Sequence, residues 1–549
     1  MKISYNWLQD YFKEKLPQSS DLAELINAHS FEIELIEKVG EDTVFDVKVM
    51  PDRAHYALCH KGIAREVRAI TGMTLTHLNA TAASTVAASD KCRLCRSVAE
   101  ANEDTSSWRG GRGGTVESKV SVSIQDKNLC YRYMARRIEN VKIMESPKWL
   151  KDRLEAIGAR AINSIVDATN YIMFDMGQPL HAFDADKIKG GIVVRKAKKA
   201  EKIELLPESV TVDGKLVLKD RSLELTENDL VIADDEGPIA IAGVKGGKRA
   251  EISNETKNII LESANFNPVS IRRTSTRLNI RNDSSKRFEN EIIPELAEEA
   301  MDRVTDFILE LSSGSLVGPT TDECNRKTEK RDIVFTPSFI GDKLGESVQK
   351  KEIKEILECV DCEITERDGE IVATPPLDRL DMAIPEDIAD EVARIKGYDA
   401  MPSALPSELK EKTPQDKTFY WSEKVKNILV ELGFSEVILY SLAPKGAFDI
   451  EYPLASDKAA LRESIVPKMQ ESLKMNALNA DLLGLETIKV FEIGKVFPKS
   501  GEKTVLTFGV IIAKKKKGVT AESILKETLN EVWARLSLST EVGHQYGSA

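Results

Sequence analysis

Histidine, cysteine and long apolar segments are scarce in this chain of 549 residues, which has six histidines and seven cysteines. An odd, small number of cysteines is typical of a protein from a reducing compartment and argues against a disulphide scaffold. No segment approaches the ~18 consecutive apolar residues that span a bilayer. The first residues also lack the apolar run of a signal peptide. These absences predict a cytoplasmic protein with no membrane segment.

Positive charge is also in short supply, and the formal net charge is −12. This balance argues against an overall electrostatic affinity for nucleic acid, although a local basic patch stays open because binding depends on charge distribution. The pairs Cys92/Cys95 and Cys359/Cys362 have the spacing of zinc ligands. They lie far apart in dissimilar contexts with no further ligand nearby, so a zinc site is disfavoured.

The patterning of apolar, small and polar residues predicts several domains of α/β and α+β type. The low-complexity run Arg109–Gly114 cannot bury enough surface to fold and indicates a linker; an RNA contact there rests on only two arginines. Asp368-Gly369 predicts a hairpin, which together with a preceding helix suggests a winged-helix arrangement. The predicted segments are an N-terminal α/β segment (1–73), a flexible insertion or linker (74–119), an α/β or β-rich domain (120–320), a compact winged-helix-like domain (330–402) and a final α/β domain (415–549).

Two groups of polar residues are candidates for a functional site. Thr169, Asn170 and His181 stand among apolar residues, with Gly177-Gln178-Pro179 predicting a turn before the histidine. On the residues alone, such a trio is a hydrogen-bonded core network or a small-molecule pocket, and the core network is favoured. The second group is acidic and follows Pro385 near a helix start, where carboxylates complement the helix dipole; it comprises Asp381, Asp387, Asp390 and Glu391.

Read together, these segments resemble the β subunit of bacterial phenylalanyl-tRNA synthetases. Four stretches carry the resemblance: SYNWLQDYF (4–12), DRAHYALCHKGIAREVRAITG (52–72), SIVDATNYIMFDMGQPLHAFDADKIKGG (164–191) and LDRLDMAIPEDIADEVARIKGYDAMP (377–402). Further matches at 241–247, 259–292 and 490–497 extend it over nearly the whole chain except 74–119. The resemblance implies an editing domain at 120–320, a winged-helix-like domain at 330–402 that bears the acidic group, and a degenerate, non-catalytic class II synthetase-like antiparallel-sheet domain at 415–549.

The resemblance also implies an activity. The family attaches phenylalanine to tRNA(Phe) with ATP in an α2β2 heterotetramer whose aminoacylation centre lies in the α subunit. The β subunit supports that assembly and hydrolyses tyrosyl-tRNA(Phe), because a pocket that merely tolerates an added hydroxyl discriminates weakly and a second site restores accuracy. The alternatives are a scaffold with an inactive editing site and a free-standing aminoacyl-tRNA deacylase. The class II-like domain and the acidic group favour assembly with α.

Two sets of site residues follow from the resemblance. A glutamate suits recognition of the tyrosine phenol because a carboxylate accepts a strong hydrogen bond, glycines allow close backbone approach to the ester, and the histidine is expected to orient water or ribose. The acidic group is expected to hold a magnesium ion shared with α, since several oxygen ligands suit a hard cation; Asp390 stands where glutamate is common, which would lengthen one contact. The implied editing pocket comprises Thr169, Asn170, His181, Gly243, Gly246 and Glu262.

The chain departs from the family pattern in three respects. Residues 31–38 lead almost directly into 44–49, so the usual inserted OB-fold domain is expected to be absent. The usual C-terminal anticodon-binding domain is expected to be missing, and the class II-like domain to be incomplete. Arg462 is the only arginine between Thr418 and Ala513. ATP chemistry is therefore not expected in that domain, which is expected to pack against α.

Overall fold

The structure is a computed structural model that describes residues 1–76, 119–212, 215–401, 403, 405–406, 414–514 and 518–536, with the backbone alone for 207–221. The predicted linker at 74–119 lies almost wholly outside these ranges, as do Cys92 and Cys95. The chain forms two compact units, Met1–Ala404 and Leu405–Ala549. The prediction of a mixed α/β chain with several sheets is confirmed. None of the described helices is long and apolar enough to cross a membrane.

Unit 1 begins with a small antiparallel sheet, in strand order β1-β3-β2, and the helices around it. Helix α1 begins at Tyr5, because the Ser4 side chain accepts a hydrogen bond of 3.0 Å from the backbone N–H of Trp7 and so caps the helix. Strands β2 and β3 form a hairpin with two residues between them, so no domain is inserted there. The elements are β1 (Lys2–Ser4), α1 (Tyr5–Gln9), α2 (Ser19–His29), β2 (Glu32–Val39), β3 (Asp42–Lys48), α3 (Ala54–Ala57) and α4 (His60–Thr71).

The central part of unit 1 contains a four-stranded sheet in the order β14-β5-β13-β6, a five-stranded sheet in the order β12-β11-β10-β7-β4, and a β8-β9 hairpin. The four-stranded sheet is antiparallel throughout. The elements are β4 (Val122–Ile124), β5 (Cys130–Glu139), α5 (Lys148–Ala156), α6 (Ser164–Met176), β6 (Leu180–Asp184), β7 (Ile192–Lys196), β8 (Lys202–Val212), β9 (Lys215–Glu224), β10 (Leu230–Asp234), β11 (Gly237–Ile241), β12 (Lys245–Gly246), β13 (Ile259–Phe266), α7 (Pro268–Leu278), α8 (Asp283–Phe288), α9 (Leu296–Ser312) and β14 (Ser315–Cys324).

The four-stranded sheet separates two hydrophobic cores. Successive residues of a strand point to opposite faces. On one face, Ile259 and Leu261 pack with helices α6 and α9 in a core that also includes Ile165 and Ile172. On the other face, Tyr133 and Phe183 belong to the core shared with the five-stranded sheet. This second face carries the candidate site.

The third part of unit 1 surrounds a three-stranded antiparallel sheet in the order β15-β17-β16. The predicted hairpin is confirmed: Asp368 and Gly369 join its strands with φ of +50° and +87°, a conformation that glycine and aspartate tolerate. The winged-helix description stays a prediction. The elements are β15 (Ile333–Phe335), α10 (Pro337–Leu344), α11 (Lys350–Cys359), β16 (Glu363–Arg367), β17 (Glu370–Thr374) and α12 (Pro385–Lys396).

Unit 2 is built around a sheet in the order β18-β21-β22. The sequence pattern predicts a strand over 436–441, which is wrong beyond Glu436. Val437 still donates to the Phe491 carbonyl at 2.8 Å, but the pairing then stops and Ile438 is 91% exposed. Strand β18 pairs in parallel with β21, whereas β21 and β22 are antiparallel. The sheet is therefore mixed, and the expectation of an antiparallel sheet holds for only one of its two strand pairs. The elements are α13 (Lys417–Glu431), β18 (Ser435–Glu436), β19 (Leu442–Ala443), β20 (Ala460–Leu461), α14 (Val466–Ala477), β21 (Thr487–Val496), β22 (Lys503–Ile512) and α15 (Ala521–Leu536).

Arg462 is held inside unit 2. Its Nη2 lies 2.7 Å from Oε1 of Glu492, and both side chains are buried. Its Nε and Nη1 donate to the backbone carbonyls of Lys495 and Leu439 at 2.9 and 3.1 Å. All three nitrogens are therefore bonded to the protein, and the arginine is not free to hold nucleotide phosphates.

Candidate functional site

Three of the six residues predicted for the editing pocket meet at the second face of the four-stranded sheet. The strand register places Glu262 of β13 opposite Ala135 of β5 and opposite His181 of β6. Residues that oppose each other directly on antiparallel strands project to the same side. Glu262 and His181 therefore share a face. Gly246 of β12 lies against the imidazole, since a Cβ added to it would stand 2.7 Å from Cε1 of His181.

The Glu262 side chain is buried, and its carboxyl has one hydrogen-bond partner among the described residues. The Tyr133 hydroxyl donates to Glu262 Oε2 at 3.1 Å, and Tyr133 is itself fully buried. The second oxygen, Oε1, makes no hydrogen bond within the described part of the chain. Burial raises the pKa of Glu262 to about 8, against the smaller opposing effect of the Tyr133 hydrogen bond. The carboxyl is thus mainly protonated at neutral pH.

The imidazole of His181 is neutral, because the surrounding protein desolvates the ring even though the side chain keeps some exposed surface. The side chain is partly exposed, and neither ring nitrogen makes a hydrogen bond within the described ranges. Its ring packs edge-on against Phe183, with 4.5 Å between the ring centroids. Burial lowers the pKa of His181 to about 4. At physiological pH the ring therefore has one nitrogen that can accept a hydrogen bond or a proton.

Gly243 has a structural reason to be glycine, and its place in the editing pocket stays a prediction. Its φ is +66°, and an added Cβ would lie 2.9 Å from side-chain carbons of both Ile271 and Phe288. The glycine is therefore required by the left-handed backbone and by apolar packing. The start of helix α8 holds this loop, since the Asn282 side chain donates to the carbonyl of Val244 at 2.6 Å.

Thr169 and Asn170 lie on helix α6, which packs against the opposite face of the sheet. The Thr169 hydroxyl donates to the Val166 carbonyl of its own helix at 2.7 Å. Asn170 is half-buried, and its side chain makes no hydrogen bond in the part of the chain that the structure describes. The structure thus joins neither residue to His181 or Glu262 by a hydrogen bond. The predicted turn between α6 and β6 is present, with Gly177 at φ +92° as the helix C-cap.

The raised pKa of Glu262 predicts a pH-dependent stability. Folding favours the protonated carboxyl, so its stabilising contribution is full below pH ~4.5 and is lost as pH rises to about 8. In a Glu262→Gln variant this loss should disappear. We therefore expect the difference in the free energy of unfolding, variant minus wild type, to increase by up to a few kcal/mol between those two pH values. Above the higher pH the difference should stay constant. Denaturant unfolding at several pH values measures the difference; one that is independent of pH would contradict a protonated Glu262.

The predicted magnesium ligands are engaged with protein groups. Asp381 receives hydrogen bonds from Arg379 Nη2 at 2.7 Å and from His55 Nε2 at 2.9 Å. Burial disfavours the charge of Asp381, but these two partners outweigh it and hold its pKa well below the usual range. The two oxygens of Glu391 lie 2.6 Å from Arg379 Nη2 and 2.7 Å from Arg394 Nη2.

The remaining two acidic residues have separate local roles. Asp387 Oδ2 accepts hydrogen bonds from the backbone N–H groups of Ala383 and Ile384, at 2.8 and 2.9 Å, and so caps helix α12. Asp390 is exposed and accepts a hydrogen bond of 2.8 Å from the Tyr398 hydroxyl. This is the helix-start interpretation that the residues alone favoured.

Asp381 and Glu391 belong to a buried ion-pair cluster that joins two parts of unit 1. Glu66 of helix α4 lies 2.8 Å from Arg394 Nη1 and 2.9 Å from Arg53 Nη2. Three guanidinium groups thus balance three carboxylates between the N-terminal part and the part that contains α12. The cluster comprises Arg53, Glu66, Arg379, Asp381, Glu391 and Arg394.

Magnesium does not fit this arrangement. A hard divalent cation needs several carboxylate or carbonyl oxygens directed at one point. Here the oxygens of Asp381 and Glu391 already bind guanidinium groups, which would also repel a cation. Among the described residues, no group of three or more histidine, cysteine, aspartate or glutamate side chains could hold a metal ion. The expected four-carboxylate site is not assembled in this structure.

Sequence reasoning missed Tyr133 and the three arginines of the ion-pair cluster. Tyr133 stands 129 residues before Glu262 and lies in no polar motif. Only the register of β5 against β13 brings the two together. A partial signal existed for Arg394, which follows Glu391 by three residues on one helix, a spacing at which opposite charges meet.

Known families match three consecutive regions of the chain. The B3/4 domain matches residues 129–313, the tRNA synthetase B5 domain matches 333–398, and the phenylalanyl tRNA synthetase beta chain CLM domain matches 401–538. Tyr133, His181, Gly246 and Glu262 all fall in the first region, and the predicted metal ligands fall in the second.

Curated relatives extend this result. The chain is 35% identical over 471 residues to the phenylalanine–tRNA ligase beta subunit of Fusobacterium nucleatum subsp. nucleatum, covering 84% of this chain and 54% of that protein. It is 34% identical over 502 residues to the same subunit of Syntrophus aciditrophicus, covering 88% and 56%. The chain therefore spans about half the length of the curated relatives it matches.

A solved structure is also similar, though distantly. It is an N-terminal fragment of the phenylalanyl-tRNA synthetase β subunit from Pyrococcus horikoshii, with 14% identity and a TM-score of 0.38 over 72% of this chain and 99% of that one. A similarity at that level bears no weight. The identification is based on the three family regions, which follow one another in order, and on the curated relatives. By these matches the chain belongs to the phenylalanyl-tRNA synthetase β-subunit family.

Proposed function

We propose that this chain acts as the β subunit of a cytoplasmic phenylalanine–tRNA ligase and hydrolyses tyrosyl-tRNA(Phe). In this proposal the α subunit contains the aminoacylation centre, which uses ATP, and the assembly is an α2β2 heterotetramer. The observation that carries the editing proposal is a pair of groups on one sheet face, Glu262 Oε1 and the His181 ring, that make no hydrogen bond to any described residue. The lack of a free arginine cluster around Arg462 supports the assignment of ATP chemistry to α.

Selection of tyrosine follows from the state of Glu262. A tyrosine phenol can hydrogen-bond with the oxygen that Tyr133 leaves free. Phenylalanine would enter the same site and cover that oxygen without giving it a partner, which costs about 1–3 kcal/mol. The editing site thus favours tyrosine, the amino acid that an aminoacylation pocket for phenylalanine cannot reject strongly. Phenylalanyl-tRNA(Phe), the correct product, is spared.

Hydrolysis requires a water molecule that attacks the aminoacyl ester. Water adds to the ester carbonyl carbon, the bond from that carbon to the ribose oxygen breaks, and the products are free tyrosine and the ribose hydroxyl of tRNA(Phe). The neutral ring of His181 can accept a hydrogen bond from this water or from the ribose. Gly246 keeps space beside the ring for the approaching ester, since an added Cβ would stand 3.1 Å from Nε2.

Partnership with an α subunit is supported by exposed apolar side chains in unit 2. Leu478 and Leu482 are each 86% exposed. Apolar side chains that are exposed in a free chain often mark a surface that a protein partner covers in the complex. Family membership commits the partner to a class II α subunit. Further exposed large apolar residues of this unit are Phe419, Trp421, Ile438, Tyr440, Phe448, Tyr452, Leu454, Met475 and Leu483.

Co-expression with the α subunit tests both parts of the proposal. We expect a stable complex that charges tRNA(Phe) with phenylalanine and deacylates tyrosyl-tRNA(Phe), because the sheet face offers both a phenol partner and a histidine. A His181→Ala variant should still assemble and charge phenylalanine but lose at least about 10²-fold in deacylation. A complex that charges but does not deacylate would leave only the scaffold function. An isolated chain that deacylates and never binds α would indicate a free-standing deacylase.

A further inference from the structure

The direction in which Oε1 of Glu262 points depends on whether Oε2, the other oxygen of the same carboxyl, is held in place. A carboxyl in an apolar core can rotate about its last bond unless one oxygen is held. In this chain the hold comes from Tyr133, whose hydroxyl donates to Oε2 at 3.1 Å. Tyr133 has no exposed surface and packs in the core between the two sheets, so its own position is rigid.

The strand register places both side chains on the ligand face. Tyr133 pairs with Ala264, and Glu262 pairs with Ala135, so the two residues are diagonal neighbours on one face of adjacent strands. His181 opposes Glu262 on the other side of β13. Tyr133, Glu262 and His181 thus form a row across β5, β13 and β6.

We propose that Tyr133 is a positioning residue that holds Oε2 of Glu262, so that Oε1 faces the phenol of a bound tyrosyl group. This inference rests on the proposed function and adds the residue that determines its specificity. Tyr133 presents to one oxygen the same phenol that the ligand presents to the other. Without Tyr133, the carboxyl is free to turn away or to bond water, and the penalty against phenylalanine decreases.

The ionisation of Glu262 supplies a second signature. The groups that face it are Tyr133 and Cys130 of β5, whose pKa values burial raises, and His181 of β6, whose pKa burial lowers. Glu262 is therefore the group expected to titrate near pH 8. Its ionised form accepts a stronger hydrogen bond from a phenol, so preference for tyrosine should rise through that pH. Because the Tyr133 hydrogen bond lowers the pKa of Glu262, removal of the hydroxyl should move this rise to higher pH.

The test is a Tyr133→Phe variant of the full chain in complex with α. Calorimetry would measure the binding of adenosine 3′-amides of tyrosine and phenylalanine, which cannot be hydrolysed, from about pH 6 to 9.5. We expect the ratio of affinities for tyrosine over phenylalanine to fall about 10-fold and its pH midpoint to rise. The matched control is Tyr131→Phe, which removes a hydroxyl of the same strand that accepts from Asn267 Nδ2 at 2.8 Å and does not bond Glu262. The control should keep both the wild-type ratio and the midpoint.

Several results would overturn the inference. These are an unchanged ratio and midpoint in Tyr133→Phe, an equal loss of both ligands together with a lower melting temperature, or no preference for tyrosine in wild type. The proposed hydrolysis fails separately. If the tyrosine amide binds with a preference that depends on Tyr133 while tyrosyl-tRNA(Phe) is not deacylated, the positioning role stands and the editing function does not.

Discussion

A Glu391→Ala variant should lose about 3–5 kcal/mol of the free energy of unfolding of unit 1. Both oxygens of Glu391 bind arginines, and its removal leaves Arg379 and Arg394 buried with too few partners. Because the cluster joins α12 to α4, the loss should appear as faster hydrogen exchange in both helices. Denaturant unfolding and hydrogen exchange followed by mass spectrometry measure it.

Asp390→Ala is the matched control for the ion-pair cluster. Asp390 belongs to the same predicted magnesium set and neighbours Glu391, but it is exposed, and Tyr398 is the one described residue that its carboxylate bonds. We expect it to leave stability almost unchanged. Addition of Mg²⁺ or of a chelator, without ATP, should also leave unfolding unchanged, in the chain alone and with α. A stabilisation by Mg²⁺ that disappears in both Asp381→Asn and Asp390→Ala would restore the four-carboxylate metal site.

A Glu262→Ala complex should hydrolyse phenylalanyl-tRNA(Phe) as well as tyrosyl-tRNA(Phe), with discrimination reduced about 10²-fold or more. Wild type rejects phenylalanine because a buried carboxyl oxygen stays unpaired beside it. Alanine removes that oxygen, so both amino acids fit the site. The measurement is kcat/KM for deacylation of each charged tRNA, and the net yield of phenylalanyl-tRNA(Phe) should fall.

Glu323→Ala is the control for this loss of discrimination. Glu323 is an exposed glutamate on the edge strand β14 of the same sheet. It projects to the same face as Tyr133, its partner in register, but strand β5 separates it from Glu262 on β13. Its replacement should preserve the wild-type discrimination. If Glu262→Ala instead abolishes hydrolysis of both substrates in equal measure, then Glu262 supports the fold or the chemistry and does not select the amino acid.

Much of the local structure could be predicted from short-range signals. Ser4 before an apolar helix pattern marks an N-cap, Gly177 marks a helix end, and Asp368-Gly369 marks a hairpin, because each depends on backbone angles and on neighbours within a few residues. The strand predicted over 436–441 failed for the opposite reason. An apolar run is typical of a buried strand, but in this chain Ile438 is on the surface of unit 2.

The amino-acid sequence by itself determined the mixed α/β class, the family and the choice of Glu262 and His181, because motifs and residue types are properties of the chain. Only the tertiary structure decided what surrounds them. The register of β13 between β5 and β6 puts Tyr133 on one oxygen of Glu262 and leaves the other free. Likewise, the tertiary fold brings Arg379 to Glu391 of α12 and packs Glu66 of α4 against Arg394, so these carboxylates lie in an ion-pair cluster instead of a magnesium site. Hydrogen bonds and ion pairs act over about 3 Å, so partners more than a hundred residues apart in the chain are fixed only once the strands and helices have packed.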